Sequence, residues 1–518
     1  MRNELFQSAV NPKKAATSRN HAGGRAYDPG PEHGLAQMSM TCTLADSFYT
    51  SSEQQLNEVI KLADQCSPEF IGKLAVYSRE VGQMKDLPAV LVAYLAGHYE
   101  REVLDQVFGR VIDNGRMVRN FFQIIRSGRM GRRGLGSQPK RLLRGWFASQ
   151  GAEGVFRNST GSNPSMADVI RMARPVPLTA EEKYLYQYLL GKGEASGTAF
   201  ALKKWSLGEG DMPRGLPFEF LAGAATSQAH WEDIAHNLSW NATLKNLNTF
   251  ARHKVSASAW KAIAARLQQT PPKHVFPYSV MTAFKYTLAN NDIPMYVKDA
   301  VQDALDNSLG NIPAIDGTVA VCVDTSGSMG SAVTGNRGSA TGVTTCVEVA
   351  SLIASAILRK NPSAKVIVFD TAAAVATLNP RDSVATNCRL LNRNGGGTDV
   401  SSALRLLNQQ GLAPDLTLMV SDNESWFERR AQTYYGSAYR PGTTVAQQEW
   451  ERIAGRNKSA KLVCLDIQAN PTLQVQSSKR VLNLGGFSDA VFGLVNDFSK
   501  NLLDAATLVG KIKEVKLD

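Results

Sequence analysis

Gly317 to Gly330 reads GTVAVCVDTSGSMG, and the rest of the chain is organised around it. Thr318 to Val323 is a short run of β-branched and apolar residues bounded by glycine, the pattern of a buried strand. Such a strand delivers Asp324, Ser326 and Ser328 onto the loop at its carboxyl end, and Gly327 lets the backbone turn sharply between the serines. One carboxylate and two hydroxyls offer oxygen ligands only, which is the chemistry of a hard cation. Three ligands are too few for an octahedral ion, so the reading demands more of them downstream. They are present: Gly395-Gly-Gly-Thr398-Asp399, and the apolar run Leu416 to Val420, which ends in Ser421-Asp422.

Each of these groups follows a predicted strand or sits beside a Gly-rich loop, with helical stretches between them at Val343 to Arg359 and Ser401 to Gln410. In an open parallel α/β sheet the loops at the carboxyl ends of the strands converge on one crevice. Order, spacing and chemistry resemble the metal-ion-dependent adhesion site of a von Willebrand factor type A (vWA) domain. By that resemblance Ser326, Ser328 and Thr398 offer hydroxyls, while Asp324 and Asp422 act directly or through water. All-oxygen octahedral sites favour Mg²⁺, or Mn²⁺, over zinc. DTSGS alone reads more simply as a strand followed by a Ser/Gly turn; Thr398 and Asp422 decide for the cation. The Asp-Thr-Gly of aspartic proteases is broken here by Ser326, and no second copy follows.

The chain has 518 residues, 43% of them hydrophobic, enough for two to four domains with sizeable cores. Its net charge of +11 suits an acidic partner. Six cysteines without CxxC spacing, two of them (Cys322 and Cys464) inside predicted strands, read as reduced core residues of a cytoplasmic protein. No run of eighteen apolar residues and no apolar leader segment is seen, so neither membrane insertion nor secretion is expected.

Residues 1–40 are rich in Gly, Pro, Asn and Ser and predict an extended arm. Residues 41–313 change to short helical segments, such as Glu53 to Gln65, Pro68 to Val81, Leu87 to Tyr99, Arg101 to Asp113 and Arg116 to Ser127, with strand signals nearly absent. Short helices without heptads are better explained as stacked pairs, an α-solenoid, than as one bundle. Residues 314–518 form the α/β domain. The expected fold class is therefore mainly α with an α/β domain, the latter a doubly wound parallel sheet.

Residues 1–313 carry +8 and 314–518 carry +3, and the helical excess is concentrated: 101–150 holds 11 bases against 3 acids. Between Arg116 and Arg144 stand nine bases and no acid: Arg116, Arg119, Arg126, Arg129, Arg132, Arg133, Lys140, Arg141 and Arg144. Arginine's planar fork pairs with phosphate and stacks on bases. The bland alternative is the solvated face of a helix whose other face buries Phe122 and Ile125, and the neighbouring aromatics Phe121, Phe122, Trp146 and Phe147 are read as core. The loop Ser127 to Gly136, with glycines between uncompensated charges, favours a polyanion contact without a packing role.

A helical region followed by a vWA domain resembles the Ro autoantigen or TROVE-module family of RNA-binding proteins, of the bacterial type. The resemblance rests on Gly134-Leu135 followed by Lys140-Arg-Leu-Leu-Arg-Gly-Trp-Phe, on Trp240-Asn-Ala-Thr-Leu-Lys-Asn-Leu-Asn, on His274-Val-Phe-Pro-Tyr, and on Gly396-Gly-Thr-Asp399, Val420-Ser-Asp-Asn-Glu424, Ala460-Lys-Leu-Val and Gly486-Phe-Ser-Asp. It implies a monomeric ring of HEAT-like helical repeats bridged by the vWA domain. It further implies binding of small noncoding Y-like RNA outside the ring and of single-stranded 3′ ends of misfolded or structured RNAs through its hole, with an exoribonuclease as partner. His274, Arg171 and Arg174 join the RNA-binding set by the same resemblance; Arg174 stands where the family commonly has a histidine. The stretch Arg429 to Pro441 is longer than usual. The competing reading is a metal-dependent docking subunit of an ATP-driven chelatase or remodelling complex, but no GxxxxGK[ST] is present. An enzyme is not expected, because a site of this kind offers little to serve as a general base.

Overall fold

The computed structural model describes residues 15–98, 100–272, 275, 277–309, 314–333, 344–392, 395–426, 442–468, 470–486, 490–502 and 507–517. His274 and the stretch 429–441 lie outside them. Where the Gly/Pro pattern predicts an extended arm up to residue 40, the chain is folded. Ser18–Arg19 (β1) and Arg25–Ala26 (β2) pair antiparallel, and the Asn20 side chain closes the turn by accepting the Gly24 N–H at 2.7 Å. Pro31 then opens α1 (Pro31–Thr41), where its missing N–H is no loss and its fixed φ suits the helix. Leu35 and Met38 of α1 are fully buried. Proline and glycine here mark element boundaries.

Helices α2 (Ser52–Ala63), α3 (Pro68–Glu80), α4 (Asp86–Gly97), α5 (Arg101–Val111), α6 (Gly115–Arg126) and α7 (Ser137–Arg157, kinked at Gly151) follow. Then come α8 (Met166–Ala173), α9 (Ala180–Leu189), α10 (Gly197–Ser206), α11 (Phe218–Ala224), α12 (Gln228–Asn237), α13 (Trp240–Lys245), α14 (Leu247–Arg252), α15 (Ala257–Leu267), α16 (Pro277–Ala289) and α17 (Met295–Ser308). Their starts are written in the sequence. Ser51 and Gln54 form a reciprocal capping box on α2, and Ser67 caps α3 ahead of Pro68; each such cap contributes about 1 kcal/mol. Each helix packs mainly on near neighbours in the chain, as α3 on α4 and α5, or α15 on α12 and α17. That is the contact pattern of stacked helical repeats.

The α/β domain contains β3 (Val319–Asp324), α18 (Cys346–Lys360), β4 (Lys365–Phe369), β5 (Ala373–Val375), α19 (Val384–Leu391), α20 (Val400–Gln409), β6 (Leu416–Ser421), α21 (Val445–Arg456), β7 (Lys461–Asp466), β8 (Val481–Gly485), α22 (Ala490–Ser499) and α23 (Thr507–Lys513). The sheet runs β5-β4-β3-β6-β7-β8, parallel except for β5 at one edge. Alternation along β3 explains its continuous apolar run. Val319, Val321 and Val323 join a core shared with α18, whereas Ala320 and Cys322 face a second core with α20 and α21. A strand covered on both faces has no polar side.

Both ends of the helical array land on this domain. α1 packs against β8 and α23, with Lys513 paired to Glu32 at 2.7 Å. At the other end α16 packs on α18 and α17 on α19, with Lys285 paired to Glu348 at 2.5 Å. The array is thereby closed into a ring. All six cysteines are free thiols, and among the described residues no helix is long and apolar enough to cross a membrane.

Candidate metal centre and nucleic-acid interface

The five residues expected to hold a cation meet at the carboxyl edge of the sheet. Asp324 ends β3, and Gly327–Gly330 turns as a short 3-10 helix that brings Ser326 Oγ to 3.3 Å from Ser328 Oγ. Asp324 accepts the Ser326 N–H at 2.9 Å on one oxygen and the Ser421 hydroxyl at 2.6 Å on the other. The Gly-rich loop docks from the side: Gly395 N–H donates to Thr325 O at 3.1 Å, and Gly327 N–H donates to Gly396 O at 3.2 Å. This carries Thr398 to the crevice, while Asp422 follows β6. Asp399 instead caps α20, accepting the Ser401 N–H at 3.0 Å.

None of Asp324, Ser326, Ser328, Thr398 and Asp422 is more than 6% exposed, and Thr398 Oγ1 and Asp422 Oδ2 are buried polar atoms with no protein partner. Burial, with the nearby charge of Asp370 adding, raises the Asp324 carboxyl to about 6. Burial and then the charge of Asp324 raise Asp422 to about 8. Two carboxylates so placed repel each other and lack hydration, and a cation between them relieves both costs. Two carboxylates and three hydroxyls, one oxygen in each class left without a protein partner, with no sulfur or imidazole among them, fit a hard divalent ion such as Mg²⁺ or Mn²⁺.

Tyr49 and Glu424 belong to the same neighbourhood, and no local pattern announces either. Tyr49 stands just before α2 in the helical half, yet the charges of Asp422, Glu424 and Asp324 reach its phenol and, with burial first, raise it. Glu424 accepts from the Ala22 N–H at 2.8 Å and from Asn470 Nδ2 at 2.9 Å. Gly24 lies so close to the Ser425 carbonyl that a Cβ there would collide with it. The amino-terminal hairpin is thus seated on the metal loop.

The arginine segment divides in space, and two of the expectations for it are corrected. The loop 127–136 does have a packing role. Met130 is buried with its carbonyl against Gly97, and Arg132 donates to Ala96 O at 2.9 Å, Gly134 O at 3.0 Å and Leu135 O at 2.8 Å. Nor are all its charges uncompensated: Arg129 pairs with Glu53 and Arg141 with Asp105, both at 2.5 Å, acids distant in sequence that the fold brings alongside. Arg119 is half-buried and donates to Asn158 O, and Arg144 donates to Ala173 O at 2.8 Å. Arg126 lies over the Phe122 ring, and Arg133 and Lys140 are at least partly open to solvent. Arg171 pairs with Asp168 at 2.8 Å, and Arg174 is exposed at the left-handed C-cap of α8. Phe121, Phe122, Trp146 and Phe147 are core, as expected.

Arg116 is different. It stands on the first turn of α6 and meets Lys85, just before α4, and Lys245, at the end of α13. Burial, then the charges of Arg116 and Lys245, depress the Lys85 amine; burial and Arg116 depress that of Lys245 against the pull of Glu219. Both lysines are nevertheless exposed to solvent. α13 packs chiefly on α14, α15 and α16, so three bases from separate parts of the helical array come within electrostatic range of one another. From there Arg116, Asn120 and Gln123 share one face of α6, and the last two line a cleft of about 560 Å³ with Thr43, Leu44 and Asp86.

Fold and site together define an array of helical repeats closed by a vWA domain, with Asp324, Ser326, Ser328, Thr398 and Asp422 gathered at the carboxyl edge of its sheet. Residues 318–499 match the family model described as the Ro60 vWA domain. Among solved structures, the chain is similar to the Ro (RSR) protein of Deinococcus radiodurans, with a TM-score of 0.61 and 16% identity over 92% of this chain and 100% of that one. No curated protein sequence matches. The family model thus covers the carboxyl-terminal vWA domain, and the structural likeness shows that the chain shares the fold of the Ro protein over most of its length.

Proposed function

We propose that this chain is an RNA-binding ring that acts as a scaffold, without catalysis of its own, in RNA quality control or degradation. Single-stranded 3′ ends of structured or misfolded RNAs enter the opening beside Lys85, Arg116 and Lys245, and a small Y-like RNA binds the outer surface. The observation that supports the reading is that these three exposed bases, drawn from parts of the helical array far apart in the chain, lie within electrostatic range of one another. Holding three cations together costs free energy that a polyanion offsets, and release of its counterions adds to binding. An opening too narrow for a duplex, roughly 20 Å across, still admits an unpaired strand.

The metal centre serves docking in this reading. Asp324, Ser326, Ser328, Thr398 and Asp422 would hold Mg²⁺ or Mn²⁺, which supplies a positive centre for an acidic side chain of a protein partner, an exoribonuclease being the expected one. Crosslinking RNA to the purified protein in a cell extract, then sequencing both the RNA and the crosslinked peptides, tests the reading. Unpaired 3′ ends joined to peptides containing Lys85, Arg116 or Lys245 support it. Crosslinks confined to the outer arginines, on double-stranded segments, would contradict it.

A further inference from the structure

Where the end of the helical array meets the vWA domain, four helices surround an unfilled space. α16 packs on α17 and α18, and α19 packs on the same two, which sets α16 and α19 at opposite corners. A cleft of about 430 Å³ lies between them, within the range of roughly 300–1,000 Å³ typical of small-ligand sites. Met281, Phe284 and Leu288 stand at i, i+3 and i+7 on α16, and Ala385, Cys388 and Asn392 repeat that spacing on α19, so each helix turns one face to the cleft. Met281, Phe284 and Cys388 are buried and form an apolar floor, while Leu288 is 48% exposed at the rim.

The charged groups on the cleft are Lys285, Glu348 and Arg389. Glu348 is fully engaged: one carboxylate oxygen meets Lys285 Nζ at 2.5 Å, and the other accepts the Thr345 N–H at 3.0 Å. Arg389 is exposed and has neither an acidic nor a hydrogen-bonding partner among the described residues. The cleft therefore carries one uncompensated positive charge above an apolar floor, and a guanidinium fork matches a carboxylate bidentately. We propose that this cleft binds a small amphipathic carboxylate, its apolar chain among Met281, Phe284, Leu288 and Cys388 and its head group on Arg389. The site stands apart from both the RNA and the cation readings. Its walls come from both halves of the chain, so an occupant braces the closure of the helical array on the vWA domain.

The test titrates decanoate, and acetate as a head group without a chain, into the full-length protein by calorimetry, with the melting temperature read alongside. Wild type is compared with Arg389→Gln, with Leu288→Asp, and with Arg381→Gln, an exposed arginine outside the cleft. All three substitutions fall on exposed side chains, so folding is not at issue. Decanoate should bind the wild type at one site and raise its melting temperature, while acetate should not bind. Arg389→Gln should weaken decanoate about three- to tenfold, the range of one hydrogen-bonded charge at a partly open mouth, and Leu288→Asp should weaken it further. Arg381→Gln should match the wild type. Absence of decanoate binding to the wild type, or equal affinity in wild type and Arg389→Gln, would overturn the site. Binding of many decanoates with a fall in melting temperature would mark adsorption to scattered apolar surface and overturn it as well.

Discussion

His21 Nδ1 lies 2.9 Å from Glu424 Oε1, a contact between residues 403 apart in sequence that clasps the amino-terminal hairpin to the loop after β6. Glu58 of α2 stands 3.3 Å from the other ring nitrogen. Burial alone would lower the basicity of His21, but the hydrogen bonds and charges of Glu424 and Glu58 outweigh it and raise the imidazole to about 10. A base whose pKa rises on folding stabilises the fold fully below its unfolded value, near 6.5, and loses that contribution as pH climbs toward 10. His21→Gln should therefore cost about 1–3 kcal/mol at pH 6, the range of hydrogen bonds to charged groups. The deficit should close by pH 10 in urea denaturation. A deficit independent of pH would mean that His21 is neutral in the folded chain.

The metal site predicts a linkage to stability. A ligand that binds only the folded chain stabilises it by about 2.7 kcal/mol at a hundredfold excess over its dissociation constant. Mg²⁺ or Mn²⁺ should raise the melting temperature of the wild type and leave that of Asp324→Ala/Ser326→Ala unchanged. The double variant should lose a protein partner while keeping RNA affinity. Equal loss of both would contradict the division of labour between the two sites.

Arg132 and Arg133 are neighbours in sequence with different duties. Arg132→Ala removes hydrogen bonds to three backbone carbonyls and should destabilise the fold by about 1–3 kcal/mol, with some of those carbonyls left unpartnered. Arg133→Ala should be nearly neutral in stability. If RNA touches this outer loop, only Arg133→Ala should flatten the salt dependence of binding without a change in melting temperature.

The meeting of Asp324, Thr398 and Asp422 was legible because these residues follow strands or a Gly-rich loop beside them, and strand ends in a parallel sheet are placed by topology; it needed no knowledge of side-chain packing. The helices were legible from caps such as Ser51 and Ser67. What could not be read was contact between distant segments. Glu53 and Asp105 answer Arg129 and Arg141 from α2 and α5, so a stretch without acids was not a surface without acids. Lys85 and Lys245 are unremarkable one at a time and matter only because the fold brings them within electrostatic range of Arg116. The helix at Pro31 was hidden behind glycines, since composition does not say that Gly485 of β8 awaits Gln37 and Thr41.

Binding of a structured RNA with and without a single-stranded 3′ extension, across a salt series, tests threading most directly when wild type is compared with Lys85→Ala/Arg116→Ala/Lys245→Ala. The extension should tighten binding to the wild type. The triple variant should lose most of that gain, and its log–log salt slope should be shallower by about 2, since each phosphate contact on a single strand contributes about 0.7. A blunt RNA bound as tightly as the extended one by the wild type, with the triple variant unaffected, would contradict the ring as a portal for RNA ends.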